Sequence, residues 1–312
     1  MALRRERQVP SVYFGRPGKL LTLPWPKGGI DKPYDRQTYD FATGSGHHQV
    51  SSLSTGSRPY TLGWEVLHID NFAKLSQYRI GVNGAGPWTL IDPSAPNLFL
   101  PNQSAATGIY NDAREFQTLT GLANEGSVSS NADPAFIFRT QASRSLRWQF
   151  PVAAATVPVL LPSTAYRSWT GVPAVVGLPY TFASQMRADG IVDSAITVGL
   201  RLRWLDSAGA QISESSGGNI PITAAWSRLS VTGTAPAGTY FMEPRWIAVG
   251  STITTGASVY IDEPLLEQDS VLNDWAPGTG VRPVEIVGLG EGTPFEARMR
   301  TGASMTLREV AR

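Results

Sequence analysis

The run Ile196-Thr-Val-Gly-Leu-Arg-Leu-Arg-Trp-Leu-Asp-Ser-Ala-Gly209 decides the fold class. Ile196, Val198, Leu200, Leu202 and Trp204 are apolar and recur at every second residue, with Thr197, Gly199, Arg201 and Arg203 between them. A period of two sends alternate side chains to opposite faces of a pleated strand. The run is therefore a half-buried β-strand, ended by the turn Asp206–Gly209. The pattern recurs outward from it. Trp226, Leu229 and Val231 mark a second run, and Val259 and Ile261 a third, with turns rich in Gly, Pro and Ser between them. Nothing from Tyr180 to Glu267 has helical periodicity. Antiparallel strands at this spacing predict a sandwich or jelly roll.

Composition narrows the function classes. The 312 residues leave room for two domains. Charged residues make up 16% and the formal net charge is +1, which is no electrostatic footprint for nucleic acid. With 31 Gly and 23 Pro the chain has the turns that many short strands need. It contains no Cys, so disulfides, thiolate catalysis and Cys-based zinc sites are excluded. Lys occurs only at Lys19, Lys27, Lys32 and Lys74, the other basic residues being Arg, as in a GC-rich coding sequence. The charged start Met1–Arg7 leads into no apolar core of a signal peptide. The most apolar segment, Val152–Leu161, is broken by Pro158 and is too short to span a bilayer. A protein made in the cytoplasm and released by lysis or as part of a particle is expected.

Residues 1–60 read as mostly loop, with Leu20–Pro26 an edge strand capped by prolines and Gly44–Gly56 a Gly/Ser/His-rich connection. Tyr60–Leu67 predicts a strand with Tyr60, Leu62, Trp64 and Val66 on one face. Asp70–Arg79 predicts a helix capped by Asp70 or Asn71, with Phe72, Leu75 and Tyr78 along one side. Trp88–Ile91 is a short strand, and Asp92-Pro-Ser-Ala-Pro96 reads as a border. Composition changes from Asn97, and Trp275–Gly280 is a second breaker. The alternating segments Val284–Val287, Phe295–Arg300 and Ser304–Val310 are expected to return to the first domain and complete its sheet. Residues 1–96 and 283–312 would then form one discontinuous β domain, with 97–282 inserted into it.

Two sets of residues carry a resemblance. Trp64-Glu-Val-Leu67, Gly86-Pro-Trp88, Ile91-Asp-Pro93 and the closing Thr306–Val310 resemble minor and distal tail proteins of siphophages that infect actinobacteria. The second set starts with Asn97–Ser104, Leu146-Arg-Trp148 and Tyr180–Ser184. It continues through Leu202–Ala210, Trp226–Thr232, Val259–Asp262 and Leu266-Glu267. This set is similar to carbohydrate-binding-module jelly rolls of the galactose-binding-like type. The resemblance implies an all-β virion protein at the tail tip. Its first domain would be a small β-barrel or sandwich that joins a homo-oligomeric ring, commonly six-fold. Its neighbours would be the tail tube, the tape-measure protein and the hub or adhesion proteins. The jelly roll would decorate the ring or touch host cell-wall glycan. The alternative is a glycan-binding adhesion module without ring assembly, and a third reading is a glycosidase.

The chemistry-bearing residues are few. His47-His48 are adjacent in a Gly/Ser loop, where neighbours point apart, so they are not read as a metal pair. His68 reads as structural. With three His, no Cys and no Gly-x-Ser-x-Gly elbow, a nucleophile–His–acid hydrolase has no basis, and no enzyme activity is expected. Asp262 and Glu263 are adjacent and cannot form a glycosidase pair alone. A partner would have to come from Asp206, Glu243 or Asp274. The resemblance gives Asp262 another role, as a ligand of a structural calcium ion with oxygens from around Asn97 to Asn111. The competing reading is a hydrogen bond from Asp262 to a neighbouring loop. Binding rests on aromatic rings, because sugars present flat C–H faces. Trp204 and Trp226 read as core. The candidates for glycan contact are Tyr166 and Trp169 in the polar stretch Pro162–Gly171, Arg167 between them as a donor to hydroxyls, and Trp246.

Overall fold

The computed structural model describes residues 11–31, 37–42, 48–53, 59–104, 116–118, 127–138, 144–150, 159–162, 171–189, 197–249, 257–278, 280–294 and 299–310. The chain begins with β1 (Val12–Arg16), β2 (Lys19–Leu23), β3 (Gln37–Ala42), β4 (His48–Leu53), β5 (Pro59–His68), helix α1 (Ile69–Arg79) and β6 (Trp88–Ile91). There follow a single helical turn α2 (Pro101–Ser104), β7 (Phe116–Thr118), β8 (Ser127–Asn131), β9 (Ser145–Gln149), β10 (Val159–Pro162) and β11 (Val172–Pro173). Next come β12 (Pro179–Ala188), β13 (Thr197–Leu205), β14 (Gln211–Pro221), β15 (Ser227–Thr234), β16 (Phe241–Val249) and β17 (Ser258–Glu267). The chain closes with β18 (Arg282–Pro294) and β19 (Arg300–Glu309). It divides into two compact units, Met1–Asp92 with Arg282–Arg312, and Pro93–Val281.

In the first unit both chain ends build one antiparallel sheet, in the order β2-β1-β6-β18-β19-β5. The sheet curls into a small barrel. Past β2 the backbone runs along the free edge of β5, where Lys27 N–H donates to Gly63 O (2.8 Å). Asp31 and Thr61 exchange two further bonds (3.1 Å each). Trp64 Nε1 donates to Pro24 O (2.7 Å) and pins the same segment. Val12, Phe14, Leu23, Leu62, Leu75, Met305 and Leu307 fill the interior. Tyr78 of α1 meets Phe14 and Trp88 edge-on (5.4 and 4.9 Å between centroids). Gly15 makes room for it: a Cβ there would lie 2.8 Å from the Tyr78 hydroxyl, and its φ of +137° disfavours any other residue.

Several local expectations need correction. Among the described residues of 1–60 strand rather than loop predominates, in β1 to β4, and β4 begins at His48 inside the stretch read as a connection. His47 falls outside the described residues. On β5, Tyr60, Leu62 and Trp64 are buried, but Val66 is 44% exposed and Leu67 is buried instead. The cause is a bulge: Thr301 pairs with Leu67 and Ala303 with Trp64, so two residues of β5 face one of β19, and the alternation slips by one. The cap of α1 is His68, whose Nδ1 accepts the Asp70 N–H, rather than Asp70 or Asn71, which follow it by two and three positions. Residues 295–298 lie outside the described residues, while β18 and β19 take their places between β6 and β5.

The second unit is a jelly-roll sandwich of two antiparallel sheets. One has the order β14-β13-β16-β10-β7, with β11 also on β16, and is called the β13 sheet; the other, β15-β12-β17-β9-β8, is the β12 sheet. Val198, Leu200, Leu202 and Trp204 point inward from β13, as their spacing predicts. The inward face of β12 meets this sheet: Tyr180 packs at a tilt against Trp204 of β13 (6.0 Å), and Phe182 edge-on against Trp246 of β16 (4.8 Å). Asn97 ties the start of the unit to its end. Its Nδ2 donates to Pro264 O and Ala276 O (2.9 Å each), and its Oδ1 accepts from Phe99 and Leu266 N–H (3.1 Å each).

Candidate glycan-contacting face

In β12, Phe182, Ser184 and Met186 face the core, so Gln185 and Arg187 project from the outer face. Register then builds a row across this face. Arg187 lies opposite Tyr260 of β17, and Tyr260 opposite Arg147 of β9. Ser227 pairs with Met186, so Trp226, one residue earlier, comes level with Arg187. The row thus reads Trp226, Arg187, Tyr260, Arg147.

Residues 131–138 lie over this row. Phe136 stacks on Tyr260 (4.1 Å between centroids, 17° between planes). The Arg187 guanidinium stands 4.8 Å from the Phe136 ring and 5.8 Å from Trp226. Phe138, 39% exposed, meets Trp226 edge-on at 5.7 Å. The segment is fastened at both ends. Asp133 caps its single 3-10 turn by accepting the Ala135 N–H (3.0 Å), and Arg187 Nη1 donates to Ala135 O (2.7 Å). At the other end, Asp262 Oδ2 accepts the Phe138 N–H (3.1 Å) while its Oδ1 accepts the Glu263 N–H (2.8 Å). Asp262 is fully buried. Glu263 has φ +50°, a left-handed conformation that strains a residue with a Cβ, and it occupies a bulge where β17 gains a residue on β12.

Burial pushes the Tyr260 phenol above its ordinary range, with Arg147 pulling against it and Asp189 and Asp133 adding to it. The phenol therefore stays protonated near neutral pH. Half-exposed Phe136, Phe138 and Trp226 offer flat apolar surface, and Arg187 and Arg147 offer N–H donors beside it. This combination suits a polyhydroxylated ring with C–H faces and equatorial hydroxyls.

The sequence-derived candidates fall elsewhere. Tyr166, Arg167 and Trp169 lie outside the described residues; the flanking strands β10 and β11 both pair with β16. Trp246 is corrected from a sugar-stacking ring to a core residue. It is fully buried among Phe182, Phe99 and Phe116, and its Nε1 donates to Ser184 Oγ (2.9 Å). Trp226 is corrected in the opposite sense, being half-buried at the surface. Its parity carried that information: Leu229 and Val231 point inward, so an even-numbered neighbour on the same run points outward. Phe136 and Phe138 had no such signal, because only folding lays 131–138 across β17 and β12.

For Asp262 the loop-bonding alternative is the arrangement found, while residues 105–111, from which the calcium reading drew part of its oxygen ligands, lie outside the described residues. Both oxygens accept backbone N–H groups, and the Oδ1 of Asn97 is likewise in use. Among the described residues no three His, Asp or Glu side chains gather to hold a metal. Of the carboxylates considered with Asp262, Asp206 caps its own turn through Ala208 and Ala210 N–H. Glu243 stands on the outer face of the β13 sheet, across the sandwich from Asp262, so these two cannot flank one glycosidic bond. No helix among the described residues is long and apolar enough to cross a membrane.

No protein-family model matches the sequence, and no curated protein matches it. Among solved structures the chain is similar to the enzymatically active domain of bacteriophage CBA120 tailspike protein 4, at 16% identity and a TM-score of 0.40. That match covers 56% of this chain and 22% of the tailspike chain, well short of its length. The chain is also similar to the CBM22-1 xylan-binding domain of Paenibacillus barcinonensis Xyn10C, at 12% identity and a TM-score of 0.36, over 54% of this chain and 93% of that one. A carbohydrate-binding module of the β-sandwich superfamily matches at 14% identity and a TM-score of 0.36, over 84% and 99%. At these identities and TM-scores the similarities carry no argument about ligand, activity or assembly.

Proposed function

We propose that the chain is a non-catalytic structural protein of a siphophage tail tip whose inserted jelly roll contacts glycan of the host cell wall. The observation that carries the glycan part is the row of half-exposed rings and guanidiniums on the β12 sheet, with Phe136, Phe138, Trp226 and Arg187 held in one surface. The test is affinity electrophoresis of the full chain in gels containing purified actinobacterial cell-wall polysaccharide, with Trp226→Ala as the comparison. Retardation of the wild type and its loss in the variant support the reading. Equal mobility of the two proteins sinks it.

The assembly part rests on the first unit. It exposes Ile80 (73%) and Val82 (66%), the most exposed large apolar side chains among the described residues. Its hairpin β3–β4 pairs with no other described strand, and a lone hairpin is marginally stable in water. Both features favour burial against a neighbour. Ring formation does not need to cover the β5 edge, since residues 24–31 already do so. Such a ring, six-fold in this reading, would join the tail tube and tape-measure protein to the hub or adhesion proteins. Light scattering with negative-stain images decides it: rings support the reading, and a monomer that persists with the tail-tube protein present refutes it. The covered β5 edge is also what favours the second reading, a glycan-binding adhesion module that acts without a ring.

A further inference from the structure

The outer face of the β13 sheet carries a different chemistry from the aromatic row. Arg201 and Arg203 project from β13, Glu243 and Arg245 from β16, and Glu214 from β14. Arg203 lies between Glu214 and Glu243, as expected of an ordered charge grid. Arg201, however, lies directly opposite Arg245, and like charges at that position repel. The two guanidiniums are served unequally. Arg201 meets acceptors from all three nitrogens: Nε pairs with Glu214 (3.3 Å), Nη1 donates to Leu200 O and Gly218 O (3.0 and 3.3 Å), and Nη2 donates to Asn219 Oδ1 (2.7 Å). Arg203 donates from Nε to Gln211 (2.7 Å) and reaches Glu243 at 3.6 Å. Arg245 bonds Glu243 through Nε alone. Its two terminal nitrogens meet no acceptor among the described residues, although the residue is only 9% exposed.

A buried guanidinium with an open fork is a bidentate donor site for a planar or tetrahedral anion. Beside it on the same face, Val159 and Ile247 pair across β10 and β16 and are themselves buried, with Val249 packed against them. We propose that Arg245 anchors a second glycan subsite on the β13 sheet, which takes the acidic group of a sugar. Arg201 and Arg203 hold the local potential positive, since the three arginines share only Glu214 and Glu243. The acidic group is a carboxylate, as in a uronate, or a phosphodiester, as in a wall polymer. The proposal rests on the glycan-binding reading and adds the ligand's charge to it.

The test is calorimetric titration of the full chain with polygalacturonate, a glycerol phosphate polymer and an uncharged glucan, each at low and high salt. An acidic polymer is expected to bind more tightly than the glucan and to lose affinity as salt rises. Arg245→Gln is expected to weaken that binding by about tenfold or more, the worth of a charge-assisted pair. Arg245→Lys, which keeps the charge without the fork, recovers it only in part. Which acidic polymer binds better assigns the carboxylate or the phosphodiester. Acidic binding no tighter than that of the glucan, insensitive to salt, or equal in the folded Arg245→Gln protein overturns the subsite. Should Arg245→Gln not fold, Arg203→Gln and the salt dependence of the wild type decide. Failure of the broader reading is distinct: no polymer binds, and Trp226→Ala changes nothing.

Discussion

Asp262→Asn is the substitution that most directly tests how the aromatic face is held. The carboxylate is fully buried and accepts two backbone N–H groups, from Phe138 at 3.1 Å and Glu263 at 2.8 Å. An asparagine keeps one oxygen and sets an NH2 against the other donor. One charge-assisted bond is lost outright, a second weakens to a neutral one, and a buried N–H is left facing another donor. Together these cost about 2–4 kcal/mol. For a unit of this size each kcal/mol moves the midpoint by about 2–4 °C, so Tm is expected to fall by about 5–15 °C. Binding should suffer as well, because Phe136 and Phe138 hang on the segment that Asp262 anchors. Thermal melts give the first readout and affinity electrophoresis the second. A fall of less than about 2 °C would refute the anchoring argument. Full glycan binding in the variant would separate the anchor from the site. Since both oxygens are engaged, neither calcium nor a chelator is expected to move the wild-type Tm.

The two tryptophans should behave oppositely: Trp246→Ala is expected to cost about 3–5 kcal/mol in stability, and Trp226→Ala less in stability but most of the glycan affinity. Comparable melts for the two variants contradict that assignment. Burial pushes the Glu267 carboxyl above the ordinary glutamate range, against the bonds it accepts from Asn273 N–H (3.0 Å) and Nδ2 (2.8 Å). A raised folded value means the stability is fully present below the unfolded glutamate pKa and is lost as pH rises through the folded one. Melts from acid to neutral pH should show that decline in the wild type and a flatter profile in Glu267→Gln; parallel profiles contradict it. Gly15→Ala sets a Cβ 2.8 Å from the Tyr78 hydroxyl and 3.0 Å from Lys19 O, at φ +137°, so the first unit should lose about 1–3 kcal/mol. Tyr78→Phe is expected not to rescue it, because the backbone contact and the φ remain; rescue in a double-mutant melt counts against this account.

Periodicity alone determined that the chain is all-β and that Val198, Leu200, Leu202 and Trp204 form an inward stripe, because a pleated strand turns spacing into sidedness. It also placed α1 and showed that the closing strands alternate. Parity within β15 held the outward position of Trp226, although its size suggested a core ring. What the sequence could not decide depends on partners far away along the chain. The bulge that exposes Val66 arises from pairing with β19, and the burial of Trp246 from Phe182 and Phe99 closing over it. The aromatic face exists because Asp262 holds Phe138 across 124 positions, and the open fork of Arg245 because register sets it against Arg201. Local spacing fixes which way a side chain points from its own strand. What it then meets is set by register and by the segments laid over it, which only tertiary structure brings together.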